Sequence, residues 1–143
     1  VLMHVYKNLI PYKLEKHEVQ RNLDLIGFEY DDKNWRIIPE IKSDEQNVEK
    51  VRLFINQNDL VNGFIAIAPG SVWNTKKYPS DYFEVIIKHF VDRKISIVLI
   101  GGENDKSICE IIVSKFNDYV FNAAGIFSIV DSIELLKSTK LLL

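Results

Sequence analysis

The chain has 143 residues, of which 47% are hydrophobic, so it is long enough for one domain and apolar enough to bury a core. Its 18 basic and 20 acidic residues give a net charge of -2, without the basic excess typical of nucleic-acid-binding proteins. No segment approaches the roughly 20 consecutive apolar residues of a membrane-spanning helix, and the single cysteine excludes an internal disulfide.

Residues 1–60 carry clustered charges and little strand signal after the first few positions, which indicates a connecting region. Within it, apolar residues recur at helical spacing over 17–26, and Gly27 follows as a natural stop. A short amphipathic helix is therefore predicted at 17–26. Its buried face is expected to comprise Val19, Leu23 and Ile26.

A second helix is predicted from about residue 43 to residue 57. Ser43, with Gln46 three positions later, matches the capping box that begins many helices. The residues that this helix is expected to bury are Val48, Val51, Phe54 and Ile55. Between the two helices, 35–39 is predicted to be extended or turn-like, because a proline at position 39 disfavours helix just before it.

Strands and helices alternate regularly from residue 64 onward. Apolar segments predict strands at 64–68, 95–100, 119–122 and from 141. Helices are predicted to begin at Ser80, at Asn104 or Asp105, and at Ser128, where Asp131 completes a capping box and the helix runs to about residue 139. The residues expected to face inward are Phe83, Ile86, Ile87, Phe90 and Val91 in the first helix and Ile108, Ile111, Ile112 and Phe116 in the second.

Strands that are apolar on both faces and linked by helices belong in a parallel sheet that helices cover. The predicted fold class is therefore α/β: a Rossmann-like parallel sheet with flanking helices, spanning 61–143 and preceded by the connecting region. Cys109 falls in a predicted helix and is expected to be a packed thiol in a reducing compartment.

Ligands of such sheets bind beyond the carboxyl ends of the strands, so the loops after residues 68, 100 and 122 are the candidate sites. The first loop, 69–79, is long for its type. It holds Gly70, two hydroxyl residues including Ser71, and the lysines Lys76 and Lys77, which together suit a diphosphate at a helix start. The alternative is a solvated loop with ordinary surface lysines, because the segment matches neither a P-loop nor GxGxxG.

The second loop places Asp105 beside two glycines at a helix start, where its carboxylate can accept hydrogen bonds from ribose hydroxyls. The alternative is a simple helix cap. The third loop offers backbone groups and one aromatic side chain, Phe127, that can flank a base. An aromatic residue in such a link is more often part of the core.

Other chemistry finds little support in the sequence. His4, His17 and His89 are too scattered for a metal site, and Cys109 has no partner at ligand spacing, so no metal and no cofactor are expected. Ser71 lacks the GxSxG setting of a serine hydrolase.

Four segments together resemble one family of transferases. Residues 67–79, IAPGSVWNTKKYP, are similar to a segment of the ADP-heptose:lipopolysaccharide heptosyltransferases, glycosyltransferase family nine. That segment runs proline, glycine, a small residue, a lysine or arginine pair, an aromatic residue and proline. Residues 98–105 resemble the family's strand, glycine and acidic residue. Residues 122–129 resemble its N-L-A-G-x-x-S-L stretch, and residues 12–23 resemble its connecting segment.

The resemblance implies a two-domain GT-B enzyme, inverting and metal-independent, that transfers heptose from ADP-heptose to the lipopolysaccharide inner core. Its location would be the cytoplasmic face of the inner membrane, with peripheral membrane contact. Carried over by position, Ser71 and Lys76 would contact the donor diphosphate, Asp105 the ribose, and Ile126 and Phe127 the surroundings of the adenine.

The chain departs from the family pattern in two respects. The family's next diphosphate loop and the acidic base of its acceptor domain are both absent, so no catalytic base is assigned and the chain is expected to be an inactive fragment. In that assignment 1–60 is the interdomain connector with the end of the acceptor domain, and 61–143 is a truncated donor-binding domain. The alternatives are a GT-B transferase with another nucleotide sugar and a non-catalytic module that binds nucleotide sugars.

Overall fold

The computed structural model describes residues 9–36, 40–71, 73–76, 78–116 and 118–143. The chain divides into two compact units, Val1–Glu40 and Ile41–Leu143. Several features named above lie outside the described residues: His4, the end of the extended segment at 37–39, and Lys77 of the first candidate loop.

The first unit contains the predicted amphipathic helix, α1, at Glu18–Leu25. His17 caps it, because its Nδ1 accepts the backbone N–H of Val19 at 3.2 Å. Gly27 follows the helix with a φ of 67°, the left-handed conformation that a glycine adopts without strain. Leu23 is buried as predicted, but Ile26 is 74% exposed because it lies beyond the last helical turn.

The second unit is a four-stranded parallel sheet with helices on both sides, which confirms the predicted fold class. The elements are α2 (Glu45–Gln57), β1 (Phe64–Ile67), α3 (Ser80–Val91), β2 (Ile97–Leu99), α4 (Lys106–Lys115), β3 (Val120–Asn122), α5 (Ile129–Leu136) and β4 (Thr139–Leu142). The strand order is β3-β2-β1-β4. In register, Ile65 of β1 lies beside Ile97 of β2 and Leu141 of β4.

The core lies on both faces of this sheet. One cluster packs α3 and α4 against it and consists of Ile65, Ile67, Phe83, Ile87, Ile97, Leu99, Cys109, Ile112, Val120 and Ala124. The other packs α2 and α5 against it and consists of Val51, Leu60, Phe64, Val98, Ala123 and Leu135. Phe64 and Ile65 are neighbours in β1 but enter different clusters, because successive strand side chains point to opposite faces.

The start of α2 differs from the prediction. Its cap is Asp44, whose carboxylate accepts the N–H of Asn47 at 2.9 Å, whereas the Ser43 hydroxyl donates to Glu134. Val48, predicted to be buried, is 43% exposed. The side of this first turn that faces α5 is occupied by polar residues, Asn47 among them, so Val48 lies on the solvent side.

Three further details of the prediction were wrong. The cap of α3 is Pro79 rather than Ser80, which is the first residue of the helix. Ile111 is 59% exposed because the buried stripe of α4 runs through Cys109 and Ile112 instead. The last strand begins at Thr139, two residues before the predicted start at residue 141.

Candidate functional site

The strand order places a topological switch point between β1 and β4. From β1 the chain proceeds outward through β2 to β3, and then returns past β1 to form β4 on the other side. In open parallel sheets this reversal leaves a crevice at the carboxyl ends of the strands, where ligands bind. The loops that follow β1, β2 and β3 therefore lie at the edge where a ligand is expected.

The β1–α3 loop carries Ser71 and Lys76. The Ser71 hydroxyl lies against the loop's own backbone: it accepts the N–H of Trp73 at 3.3 Å and is 3.2 Å from the Trp73 carbonyl oxygen, to which it donates. A single 3-10 turn, Asn74–Lys76, follows, and the Lys76 N–H donates to the Trp73 carbonyl at 2.9 Å. The Lys76 side chain is exposed to solvent at the surface of this loop.

Asp105 lies between the first two loops. It lies at the end of a 3-10 turn, Glu103–Asp105, directly before α4, and one of its carboxylate oxygens accepts the Gly102 N–H at 2.9 Å. The carboxylate also fills the space beside two glycines. A Cβ atom on Gly101 would come within 2.8 Å of the Asp105 side chain, and a Cβ on Gly70 would overlap its carboxylate. Asp105 therefore stands at the helix start, as predicted, and its carboxylate lies against the β1 loop at Gly70.

The β3–α5 loop, residues 123–128, lies next to the β2 loop. The Gly125 N–H donates to the Gly101 carbonyl at 3.0 Å. Gly125 has a φ of 74°, and the Glu103 carboxylate occupies the space where a side chain would stand. Ile126 follows and is 47% exposed. Sequence reasoning missed Glu103, because its contact with Gly125 joins two loops that are distant in sequence and becomes visible only in the folded chain.

Phe127 has a different environment from its neighbour Ile126. Its ring packs edge to face on Phe54 of α2, with ring centroids 5.2 Å apart, and the Lys50 ammonium lies 5.4 Å from the ring centre. The ring is partly buried against the core cluster on the α2 side of the sheet. This position agrees with the core-packing alternative, and a contact of Phe127 with a base remains a prediction.

Asp131 is a buried acidic residue whose wider role the sequence did not indicate. It is 3% exposed. Its carboxylate accepts hydrogen bonds from Lys50 and from the backbone N–H of Ser128, and from Asn47 as well. These donors, Lys50 first, hold the pKa of the Asp131 carboxyl well below its usual range. The capping box with Ser128 was predicted, but its contacts with α2 were not.

The described residues contain no group of three or more His, Cys, Asp and Glu side chains that could hold a metal ion. Burial is the main reason why the pKa of the Cys109 thiol is raised to about 11, with Asp105 and Glu110 adding to it. Cys109 is thus a buried, packed thiol, as predicted. Among the helices described, none is both long and apolar enough to cross a membrane.

A family model identifies the family of this chain, and solved structures share its fold. The model of glycosyltransferase family 9 (heptosyltransferase) matches residues 1–143. The crystal structure of the glycosyl transferase family 9 protein from Veillonella parvula DSM 2008 has a TM-score of 0.66 at 20% identity, over 72% of this chain and 30% of that one. The E. coli ADP-heptose lps heptosyltransferase II structure has a TM-score of 0.62 at 20% identity, over 82% and 39%.

These two structures establish a shared fold, and the chain spans 30% and 39% of their lengths. A comparison with curated protein sequences gives no significant match.

Proposed function

Because the chain belongs to glycosyltransferase family 9, the heptosyltransferase family, we propose that it binds the nucleotide-sugar donor of a glycosyl transfer reaction. The donor is ADP-heptose and the acceptor is the inner core of lipopolysaccharide. The reaction inverts the anomeric centre, needs no metal, and takes place at the cytoplasmic face of the inner membrane. One observation carries the proposal: the Asp105 carboxylate lies between the β1 and β2 loops at the carboxyl edge of the sheet, bonded to the Gly102 N–H and close to Gly70.

The β1–α3 loop receives the donor diphosphate in this proposal. Lys76 is exposed there, and the loop leads into the N-terminus of α3, a helix of 12 residues with a positive end to its dipole. When the sugar departs, the nucleoside diphosphate develops negative charge, which a lysine and a helix N-terminus can stabilise in place of a metal. The Ser71 hydroxyl would donate to a phosphate oxygen in place of the Trp73 carbonyl, and would still accept the Trp73 N–H.

The nucleoside lies across the other two loops in this proposal. A carboxylate has about four acceptor sites, so Asp105 can keep its bond to the Gly102 N–H and still accept a ribose hydroxyl. Exposed Ile126 offers an apolar surface for the adenine. Phe127 would support that surface from the core side, because its ring packs on Phe54.

The rest of the reaction is assigned to other parts of a longer protein. We propose that the acidic base, which deprotonates the acceptor hydroxyl, lies in an acceptor domain. The end of that domain and the interdomain connector form residues 1–60, and the donor domain follows at 61–143. The chain is then expected to bind donor without turning it over. Helix α2, within the proposed connector, packs against α5 in the second compact unit.

Calorimetric titration with ADP tests the diphosphate assignment. Lys76→Ala is expected to weaken binding about tenfold, which corresponds to about 1.4 kcal/mol, because a charge that faces the phosphates is removed. Lys88→Ala is the matched control, since Lys88 is an exposed lysine of α3 that pairs with Asp92. Equal affinities of the Lys76 and Lys88 variants would show that the β1–α3 loop does not hold the diphosphate.

A further inference from the structure

We propose that Asp131 is a positioning residue of the nucleotide site, which holds the β3–α5 loop in place by tying it to helix α2. This inference rests on the proposed function, because it concerns the loop on which the adenine is placed. It extends the site to helix α2, which contains none of the candidate site residues. The Asp131 carboxylate itself does not contact the nucleotide-sugar in this proposal.

The first observation is that Asp131 does more than a capping box requires. In the box, the Asp131 carboxylate accepts the Ser128 N–H at 2.9 Å, and the Ser128 hydroxyl accepts the Asp131 N–H at 3.1 Å. An exposed carboxylate at this third helical position would complete such a box equally well. The Asp131 side chain is instead 5% exposed, so its charge is removed from water and needs further donors.

Helix α2 supplies those donors. The Asn47 side-chain amide donates to one carboxylate oxygen of Asp131 at 2.7 Å, and the Lys50 ammonium donates to the other at 2.8 Å. Lys50 lies 81 positions before Asp131 in the chain. Its ammonium also lies 5.4 Å from the centre of the Phe127 ring, which packs on Phe54 of the same helix. The end of the loop is therefore held to α2 by both polar and aromatic contacts.

The beginning of the loop is held separately. The Gly125 N–H donates to Gly101 of the β2 loop, and the Ile126 N–H donates to the Ala123 carbonyl at 3.2 Å. The exposed Ile126 side chain thus lies between an attachment to the β2 loop and the attachment to α2. Loss of the Asp131 contacts would release 126–128 and leave the β1–α3 loop, where the diphosphate is placed, unchanged.

Two substitutions test the positioning role of Asp131 separately from a general loss of stability. Asp131→Asn keeps the shape of the side chain and removes its charge. Lys50→Met removes the ammonium and keeps an apolar stem, and the Lys50 side chain is 49% exposed, so this variant is expected to fold. Lys88→Met is the matched control, because Lys88 is an exposed lysine of α3 that pairs with Asp92 and, among the described residues, makes no polar contact with α2 or the β3–α5 loop.

Two measurements are made on each folded variant. Hydrogen exchange of the backbone amides at 125–128 reports the loop directly, and calorimetric titrations compare ADP with inorganic pyrophosphate. Asp131→Asn and Lys50→Met are expected to speed exchange about tenfold and to weaken ADP binding about fivefold, with the affinity for pyrophosphate unchanged. Lys88→Met is expected to change none of these quantities.

Each other result overturns the inference in a distinguishable way. If the wild-type chain does not bind ADP, the proposed function fails and the positioning role fails with it. If the wild type binds ADP and both variants bind it equally well, only the positioning role fails. Equal losses for ADP and pyrophosphate would also contradict it, since a merely structural role lowers both affinities together.

Discussion

The contact between Asp105 and Gly70 makes a specific prediction about the variant Gly70→Ala. A Cβ atom at position 70 would overlap the Asp105 carboxylate and stand 2.9 Å even from its farther oxygen. Gly70 does not have a positive φ, so an alanine there meets a spatial conflict and no backbone strain. Either Asp105 rotates away and loses its bond to the Gly102 N–H, or the β1 and β2 loops move apart.

The loss of folding free energy in Gly70→Ala can be estimated from these two structural responses. A hydrogen bond to a charged group contributes about 1.5–3 kcal/mol, and overpacking costs about 1–3 kcal/mol. Asp105 is only half-buried, so the smaller part of both ranges applies and we expect a loss of about 1–2 kcal/mol. For a chain of 143 residues, that loss lowers Tm by about 3–7 °C.

Thermal unfolding followed by circular dichroism measures this difference. Gly102→Ala is the matched control, because a Cβ there would lie 3.9 Å from the Asp105 carboxylate, at ordinary contact distance. In the double variant Gly70→Ala/Asp105→Ala the conflict is absent, so the two changes together should cost about 1 kcal/mol less than their sum. Equal Tm values for the Gly70 and Gly102 variants, or strict additivity, would refute the described approach of the two loops.

Two further predictions concern the core and the buried carboxylate. Ile87→Ala should lower the free energy of unfolding by about 3–4 kcal/mol in urea titrations, because Ile87 is 0% exposed between α3 and the sheet; a loss below about 1 kcal/mol would contradict that packing. Lys50 keeps the pKa of Asp131 low, so the stability that this carboxylate contributes is complete above its unfolded pKa of about 3.9 and is lost as pH falls below it. Between pH 5 and pH 2 the wild type should therefore lose more stability than Asp131→Asn, and parallel pH profiles would count against the ionised, bonded carboxylate.

Much of the fold followed from local sequence patterns. Four apolar segments separated by helical periodicity predicted a parallel sheet, and the observed sheet has four parallel strands with helices on both sides. The cap of α5 was also predicted, because Ser128 and Asp131 satisfy each other within one turn. Such features depend on residues that are close in sequence, so the sequence alone is sufficient to indicate them.

Features that depend on distant residues could not be predicted in this way. Ser43 and Asp44 are adjacent capping candidates, and each has a suitable partner three positions later. The Ser43 hydroxyl is instead engaged by Glu134, 91 positions away, and Asp44 caps the helix. Likewise, the burial of Asp131 depends on Lys50 and Asn47 in a helix before the first strand.

In the candidate site too, the features that depend on nearby residues were predicted and the contacts between distant residues were not. The sequence indicated the three loops and Asp105, because glycines and an acidic residue follow the strands of a parallel sheet. It assigned Gly70 to the close approach of a ligand. In the structure Gly70 and Gly101 instead leave room for the side chain of Asp105, and Gly125 lies against Glu103. The same absence of a side chain suits a ligand or a neighbouring carboxylate, and only the fold distinguishes them.

The specificity for the nucleotide tests the central claim most directly. We would titrate the wild-type chain by calorimetry with an ADP-sugar, a UDP-sugar and a GDP-sugar under identical conditions. The proposed donor site predicts that the ADP-sugar binds at least about tenfold more tightly than the other two, a difference of about 1.4 kcal/mol. Tighter binding of a UDP- or GDP-sugar would support a transferase with another donor, and no binding of any of the three would contradict a donor site on this chain.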